Sequence, residues 1–230
     1  MSGLWRIGKR FPFEATREVG GRFDGRTFTA EVVLASETLS SPGFVVDFGV
    51  LSPVKKYIGA VLDHQLLNEV VPDPSDDGLA QHLTTWARNH LPPEACSVLQ
   101  RVRIHTGRPA SLPARTAVDF DASHRLDGLP PDHQCARLHG HSYRVILPAE
   151  EPAWPAPANM PPFFADYLVG DVDGRLLNDV FAFNPTCEHL AAYFARWLHE
   201  RDVTGPDGCP VTVRVSETES TWGEYQGRPE

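Results

Sequence analysis

The amino-acid sequence predicts an α+β protein built from two tandem copies of one unit. The segment "VLDHQLLNEV" (Val61–Val70) matches "DVDGRLLNDV" (Asp171–Val180). Each segment is followed by an amphipathic helical run and then by an alternating strand. Because five matched features occur in the same order in both halves, duplication explains them better than chance similarity does.

The front of each copy predicts two β-strands, because apolar and polar residues alternate there. The first copy has "FPFEATR" followed by "FDGRTFTAEVVL", and the second has "VDFDASHR" followed by "LHGHSYRVIL". After strand two the copies differ. "GFVVDFGVLSPVKKYIGAVL" predicts a strand end and a helix, whereas the prolines of "PAEEPAWPAPANMPPFFADYLVG" predict an irregular loop with at most a short helix.

A long helix follows Pro74–Ser75 in the first copy and Pro185–Thr186 in the second. The second run, "CEHLAAYFARWLHE", has apolar residues at helical spacing, and Thr186 suits its N-cap. The alternating strands "RVRIHTG" and "VTVRVSET" come next. The Pro-rich stretch 108–116 separates the copies, so we predict domains at residues 1–107 and 116–230.

The composition narrows the class of function. A net charge of −9 over 230 residues argues against nucleic acid as the main partner, although a local arginine cluster could still hold an anionic small molecule. No apolar run is long enough to span a membrane, and the first residues lack a signal core, so we expect a cytoplasmic protein. Four scattered cysteines do not resemble a disulfide framework.

Three histidines of the second copy predict a metal site. His139 and His141 are two residues apart, so on a strand both imidazoles project from the same face. His124 ends the preceding strand and comes level with them if the two strands pair antiparallel. Three imidazoles with a fourth position open are typical of catalytic zinc.

Cys135 precedes these histidines and is a candidate base or nucleophile, because a nearby cation and Arg137 would favour its thiolate. The alternative is a structural cysteine. His133 is interpreted as a loop residue rather than a spare ligand. We interpret the remaining cysteines as structural: Cys96, Cys187 and Cys209.

The motifs "FDASHRL…C…LHGHSY", "PTCEHLA" and "SET" together resemble the 6-pyruvoyl-tetrahydropterin synthase and 6-carboxy-tetrahydropterin synthase family. The resemblance covers nearly the whole chain when both halves are read as copies of the family unit. It implies the tunnelling fold, in which each unit is an antiparallel four-stranded sheet with two helices on one face. It also implies a Zn²⁺ held by His124, His139 and His141, and catalysis by Cys135.

The resemblance assigns the pterin anchor to Glu217, with Thr218 beside it. A carboxylate can accept two parallel N–H bonds from the pterin edge. The family also uses an Asp–His pair, and here the copies differ. The first has Asp63 and His64, whereas the second has Asp173 followed by Gly174.

The first copy lacks the second copy's functional residues. At the corresponding positions it has Arg17, Asp24 and Arg26 for the metal ligands, Gly20 near the cysteine position and His105 for the glutamate. Each copy has therefore lost residues that the other copy keeps. This pattern predicts a composite site, in which Asp63 and His64 of the first copy act together with the zinc ligands, the thiol and the pterin anchor of a second copy. The alternative is that the first copy is a decayed structural copy.

The implied activity is that of a pterin lyase. Its substrate would be 7,8-dihydroneopterin triphosphate and its product 6-carboxy-5,6,7,8-tetrahydropterin, a precursor for queuosine or another deazapurine. Alternatives are a pyruvoyl-forming lyase, cleavage of a related pterin, and a non-catalytic pterin- or purine-binding protein with structural zinc. Arg125 or Arg137 could hold the triphosphate. Because units of this family close into rings, we expect a homo-oligomer, either a dimer or a trimer of two-unit chains.

Overall fold

The computed structural model describes residues 3–106, 117–147, 160–204 and 211–227, and the strands within these ranges number seven. The chain forms two compact units. One consists of Gly8–Ala35 and Val46–Ala110, and the other of Met1–Ile7, Ser36–Val45 and Ser111–Glu230.

The unit of the first copy holds three neighbouring strands in the order β3-β2-β1. They are β1 (Gly3–Val19, from Gly8 onward), β2 (Arg22–Ser36) and β3 (Leu99–Thr106). Strands β2 and β3 pair antiparallel, with Phe28 opposite Thr106.

The helices of this unit are α1 (Ser52–Tyr57), α2 (Leu67–Val70), α3 (Asp76–His90) and α4 (Pro93–Val98). A π-helical turn, Ile58–Leu62, extends α1. Helix α3 confirms the predicted amphipathic run, and Ser75 caps it by accepting the Gly78 N–H at 3.0 Å. Its buried leucines, Leu79 and Leu83, lie four residues apart, as expected for the helix face that packs on β3.

The unit of the second copy holds four strands of that copy: β4 (Ala117–His124), β5 (His139–Ile146), β6 (Val213–Thr218) and β7 (Thr221–Gly227). They are ordered β7-β6-β5-β4 and pair antiparallel with one another. The helices are α5 (Pro162–Tyr167), α6 (Leu177–Val180) and α7 (Cys187–His199). Helix α7 packs on β6 and β7 and buries Leu190, Phe194 and Leu198 completely.

Antiparallel strands covered by helices confirm the predicted α+β class. The strand count differs from the four per unit that the resemblance implied, since the described residues hold three strands of the first copy and four of the second. The predicted linker, residues 108–116, lies outside the described ranges, which resume at Ala117.

The second copy has a short helix after its second strand, as predicted, and the helix of the first copy is equally short. Helix α5 is six residues long, like α1, and is also extended by a π-helical turn, Leu168–Val172. The predicted strand end near Gly43 is absent, because β2 already ends at Ser36 and only an isolated bridge joins Ser40 to Phe44. Residues 148–159 of the proline-rich segment are outside the described ranges.

The two Asp-x-x-Leu-Leu-Asn segments make the same contacts in both copies. The Oδ1 atom of Asp63 accepts the Glu14 N–H at 2.9 Å, and Oδ1 of Asp173 accepts the Asp121 N–H at 2.7 Å. Each segment is thereby fixed to the first strand of its own copy. None of the described helices combines the length and the apolar character that a membrane span requires.

Candidate metal centre and pterin site

Strands β4 and β5 bring the three predicted metal ligands together. His124 lies directly opposite His139 in the antiparallel register, and His141 lies opposite Ala122 on the same face. One ring nitrogen of each histidine lies within 4.8 Å of those of the other two. His124 is buried, whereas His139 and His141 are half-buried, so the cluster opens toward solvent on one side.

Backbone carbonyls orient two of these imidazoles. The Nδ1 atom of His124 is 3.0 Å from the Pro185 carbonyl, and Nδ1 of His139 is 2.7 Å from the Arg137 carbonyl. A carbonyl only accepts, so each Nδ1 carries the proton and each Nε2 presents a lone pair. The two Nε2 atoms face one another at 3.1 Å, an arrangement that a shared cation stabilises.

The donor set fits zinc. Zinc binds neutral imidazole at roughly 2.0–2.1 Å in tetrahedral geometry, which places two ligating nitrogens about 3.3 Å apart. Burial lowers the pKa of His124 to about 4 and also lowers that of His141, so both rings are neutral near pH 7. Carbonyl partners on Nδ1 are the usual outer contacts of zinc-binding histidines.

Cys135 lies in a short 3₁₀ turn, Gln134–Ala136, just before β5, and is half-buried. The Nδ1 atom of His133 accepts the Cys135 backbone N–H at 3.1 Å. The Cys135 carbonyl accepts the Leu126 N–H at 2.8 Å. The ring of His133 therefore shapes the turn that carries the thiol, in keeping with its interpretation as a loop residue.

Glu217 lies near the end of β6, close to the first residue of α7. The thiol of Cys187 is among the groups that act on its carboxylate. Burial raises the pKa of Glu217 to about 7, and the Cys187 thiol acts in the opposite direction. Burial also raises the pKa of Cys187 well above its ordinary value, so this thiol is neutral.

Tyr143 lies beneath this part of the site. Its side chain is fully buried, and its ring packs edge-on against His124 and His141 at centroid distances of 5.9 and 5.6 Å. Burial raises the pKa of its phenol, followed by the nearby charge of Glu217. Among the described residues, its hydroxyl has no hydrogen-bond partner.

Three other predicted residues lie at the surface. The Thr218 hydroxyl stabilises the β6–β7 turn, where it is 2.7 Å from the hydroxyl of Thr221 and accepts that residue's N–H at 3.1 Å. Arg125 and Arg137 are exposed, and Arg125 is 3.7 Å from Asp127. A role for these side chains toward a substrate stays a prediction.

Asp63 and His64 belong to the unit of the first copy. The Nδ1 atom of His64 is 3.0 Å from Oδ2 of Asp63, and the His64 side chain is 77% exposed. The Glu14 N–H and then His64 hold the pKa of Asp63 below its ordinary value. His64 has φ +58°, a left-handed conformation that favours glycine, and Gly174 has φ +71° at the same place in the second copy.

In the first copy, ion pairs occupy the place of the metal ligands. Arg17 binds Asp24 at 3.2 Å and Asp76 at 2.7 Å, and Nε of Arg26 donates to Asp24 at 2.7 Å. This place therefore has no set of imidazoles, as the sequence predicted.

A segment of the first half of the sequence packs on the start of α7, which sequence reasoning missed. The Val45 N–H donates to the buried carboxylate of Glu188 at 3.1 Å, and the Thr186 hydroxyl donates to the Gly43 carbonyl at 3.0 Å. Burial raises the pKa of Glu188 to about 7, although its own N–H and that of Val45 act to lower it. No local pattern signals contacts between residues 143 positions apart.

Comparison with known proteins agrees with the resemblance found in the sequence. The family model described as 6-pyruvoyl tetrahydropterin synthase matches residues 8–112 and again residues 114–228. A dihydroneopterin monophosphate aldolase of Pyrococcus furiosus is 34% identical over 68 residues, which are 30% of this chain and 58% of that protein. The match thus spans little more than half the length of that relative.

Two solved structures are also similar. The 6-pyruvoyl tetrahydropterin synthase of Caenorhabditis elegans matches with a TM-score of 0.40 and 16% identity, over 46% of this chain and 90% of that one. An uncharacterized protein of Wolinella succinogenes matches with a TM-score of 0.26 and 16% identity, over 98% and 99% of the two chains. Since the family model matches twice and covers nearly all of the sequence, the chain belongs to the 6-pyruvoyl tetrahydropterin synthase family as a tandem pair of its units.

Proposed function

We propose that this pterin-processing family member is a zinc-dependent lyase acting on 7,8-dihydroneopterin triphosphate. With one water, the substrate yields 6-carboxy-5,6,7,8-tetrahydropterin, acetaldehyde and triphosphate. The observation that carries the proposal is the convergence of His124, His139 and His141 in the copy that also holds Cys135 and Glu217.

The metal-binding residues and the pterin anchor would act at opposite ends of the substrate. A zinc ion held by the three imidazoles would supply Lewis-acid stabilisation of negative charge developing on the side-chain oxygens. The carboxylate of Glu217 would accept N–H bonds from the amino-pyrimidine edge. Glu217 must be ionised for this purpose, and its pKa of about 7 leaves that form accessible at neutral pH.

We propose Cys135 as the base that removes a carbon-bound proton from the substrate side chain. A thiolate suits this step, because it is formed near pH 7 when a cation lies close by. Asp63 and His64 would transfer protons on the other side of the reacting carbon. The Asp63–His64 contact at 3.0 Å supports this assignment, because the carboxylate orients the imidazole.

In the proposed composite site, the first copy contributes Asp63 and His64, and a second copy contributes the zinc ligands, the Cys135 thiol and the Glu217 anchor. Such a site requires assembled copies, so the proposal includes a homo-oligomer, either a dimer or a trimer of two-unit chains. We also propose that the two copies span residues 1–107 and 116–230. The same proposal places the protein in the cytoplasm and gives it a role in queuosine or other deazapurine biosynthesis.

Two other reactions use the same groups. A pyruvoyl-forming lyase would eliminate triphosphate and keep the carbon side chain. An aldolase would cleave a carbon–carbon bond of that side chain without releasing free phosphate. The similarity to the Pyrococcus furiosus protein favours this second candidate. A non-catalytic pterin- or purine-binding protein with structural zinc is the remaining alternative.

Incubation of the zinc-loaded protein with 7,8-dihydroneopterin triphosphate separates these functions. The proposal predicts release of triphosphate and acetaldehyde and a product with the mass of 6-carboxy-5,6,7,8-tetrahydropterin. A pyruvoyl product, or a cleaved pterin without phosphate loss, would replace this assignment with one of the alternatives. Recovery of the substrate unchanged would contradict all three proposed enzymatic reactions.

A further inference from the structure

The thiol proposed as the base is carried by a loop that the first copy lacks. In the first copy only Gly20 and Gly21, both with positive φ, separate β1 from β2. In the second copy residues 125–138 separate β4 from β5, and Cys135 lies near the end of this segment, which we call the thiol loop. The loop is present only in the copy that has the three imidazoles, so its shape belongs to the chemistry of that copy.

Hydrogen bonds anchor the start of the thiol loop and join it to the end that carries the cysteine. The side chain of Asn184, just before α7, accepts the Asp127 N–H and donates to the Asp127 carbonyl, both at 2.8 Å. The buried residue Leu126 donates its N–H to the Cys135 carbonyl at 2.8 Å. The backbone at Cys135 is thereby fixed relative to the end of β4.

The side chain of His133 forms the N-cap of the short 3₁₀ turn that holds the thiol. Its Nδ1 atom accepts the Cys135 N–H at 3.1 Å, and its own N–H donates to the Pro130 carbonyl at 2.9 Å. Directly after the turn, the Arg137 carbonyl contacts Nδ1 of the candidate metal ligand His139 at 2.7 Å. The cap therefore lies at the start of a short segment that leads to the metal site.

The tautomer of the His133 ring follows from the contact with the Cys135 N–H. A nitrogen that accepts an N–H must offer a lone pair, so Nδ1 is unprotonated and the neutral ring carries its proton on Nε2. In this tautomer Nδ1 is occupied by the backbone N–H, and Nε2 has no lone pair for a metal ion. The ring is therefore a cap for the turn and not a further ligand beside the three clustered imidazoles.

Histidine is an unusual N-cap, because Ser, Thr, Asp and Asn are preferred at this position. Ser75 and Thr186 cap α3 and α7 of this chain in the usual way. An aspartate at position 133 would bring a negative charge to the turn that carries Cys135, and such a charge opposes formation of a thiolate. A neutral imidazole accepts the same N–H without that charge, so it suits a turn whose thiol must lose its proton.

We propose that His133 is a positioning residue that holds the Cys135 thiol in place for proton abstraction. It acts through the backbone of the turn and does not need to touch the substrate. This inference rests on the proposed function, since it takes Cys135 as the base. Because the proposed anchor, Glu217, and the three imidazoles are unchanged when the cap is removed, its loss should affect the chemical step more than substrate binding.

The test compares His133→Ala with His133→Asn in the zinc-loaded full chain, with 7,8-dihydroneopterin triphosphate as the substrate. We expect His133→Ala to lower kcat at least about tenfold and to change KM less than about threefold, because a displaced catalytic group slows the chemical step. An asparagine oxygen accepts the N–H two residues ahead and so replaces the imidazole as the cap. His133→Asn should therefore retain kcat to within about threefold.

Hydrogen exchange at the Cys135 amide, followed by NMR, measures the cap independently of turnover. The amide should exchange slowly in the unchanged protein and in His133→Asn, and at least about tenfold faster in His133→Ala, because the acceptor is lost. Gln134→Ala is the matched control, since it changes an exposed side chain within the same turn and keeps the cap. It should change neither kcat nor the exchange rate, and all the variants should bind the same amount of zinc.

Normal kcat in His133→Ala would overturn the inference, and so would equal losses of kcat in His133→Ala and His133→Asn. If the alanine variant does not fold, two results still decide. Loss of kcat in His133→Asn, or rapid exchange of the Cys135 amide in the unchanged protein, would overturn the role of the cap.

Cys135→Ala separates these outcomes from failure of the proposed function. If Cys135→Ala turns over normally, the base itself is wrongly assigned. If Cys135→Ala is inactive while His133→Ala is fully active, only the inference about His133 fails.

Discussion

Arg17 occupies in the first copy the position that His124 occupies in the second, and both side chains contact the carbonyl of the proline before the helix N-cap. The Nη1 atom of Arg17 donates to the Pro74 carbonyl at 2.9 Å, and Nδ1 of His124 is 3.0 Å from the Pro185 carbonyl. The local backbone is therefore retained although the chemistry differs. A guanidinium paired with Asp24 and Asp76 stands where the second copy has a candidate metal ligand.

This relationship predicts one zinc ion per chain rather than two. His139→Ala should lower zinc affinity at least tenfold, because two imidazoles hold the ion less well than three. Asp24→Ala, at the matching position of the first copy, should leave the zinc content unchanged. Metal analysis after dialysis measures both. Two zinc ions per chain, or a loss in Asp24→Ala, would contradict the assignment of the metal site to the second copy.

Cys135→Ala should reduce turnover at least about 100-fold, because loss of a positioned base typically costs 10²–10⁴-fold. The variant should still bind one zinc and should still bind 7,8-dihydroneopterin, since neither the three imidazoles nor Glu217 is changed. Metal analysis and fluorescence titration check these points, and Cys96→Ala is the matched control. Loss of zinc in Cys135→Ala would instead show that the Cys135 thiol is a metal ligand.

The backbone at His64 predicts a difference in stability between two substitutions. Because φ is +58°, His64→Gly should be more stable than His64→Ala by about 1 kcal/mol. Gly174→Ala, at the same place in the second copy where φ is +71°, should lose a similar amount. Chemical denaturation measures all three. Equal stability of the Gly and Ala variants at position 64 would show that the left-handed conformation is not maintained.

Glu188 predicts a pH-dependent stability. Its pKa is about 7 in the folded protein against 4.5 ordinarily, so between these values the folded state binds more protons and stability falls as the pH rises. Glu188→Gln keeps the acceptor for Val45 and removes the buried charge. The substitution should therefore stabilise the protein by roughly 2 kcal/mol more at pH 8 than at pH 4.5. Thermal melting at the two pH values checks this, and an equal effect at both would contradict the raised pKa.

Much of the architecture followed from local pattern. Apolar spacing predicted α3 and α7, and Thr186 was predicted as the N-cap of α7. The two-residue spacing of His139 and His141 predicted a shared strand face. These features depend on the chain within a few residues. The sequence indicated the ion pairs of the first copy only as missing ligands, because one of them joins Arg17 to Asp76, 59 residues further along the chain.

What could not be predicted depends on contacts between distant residues. The contact between Val45 and Glu188 leaves no periodic trace in the sequence. The burial of Tyr143, and its hydroxyl without a hydrogen-bond partner among the described residues, were likewise not predicted.

The most direct test of the account is triphosphate release from 7,8-dihydroneopterin triphosphate by His64→Ala and Cys135→Ala, compared with the unchanged protein. A site to which both copies contribute predicts that each variant loses turnover at least about 100-fold while retaining zinc. If Cys135→Ala is inactive and His64→Ala turns over normally, the first copy contributes no catalytic group and the proposed composite site is wrong.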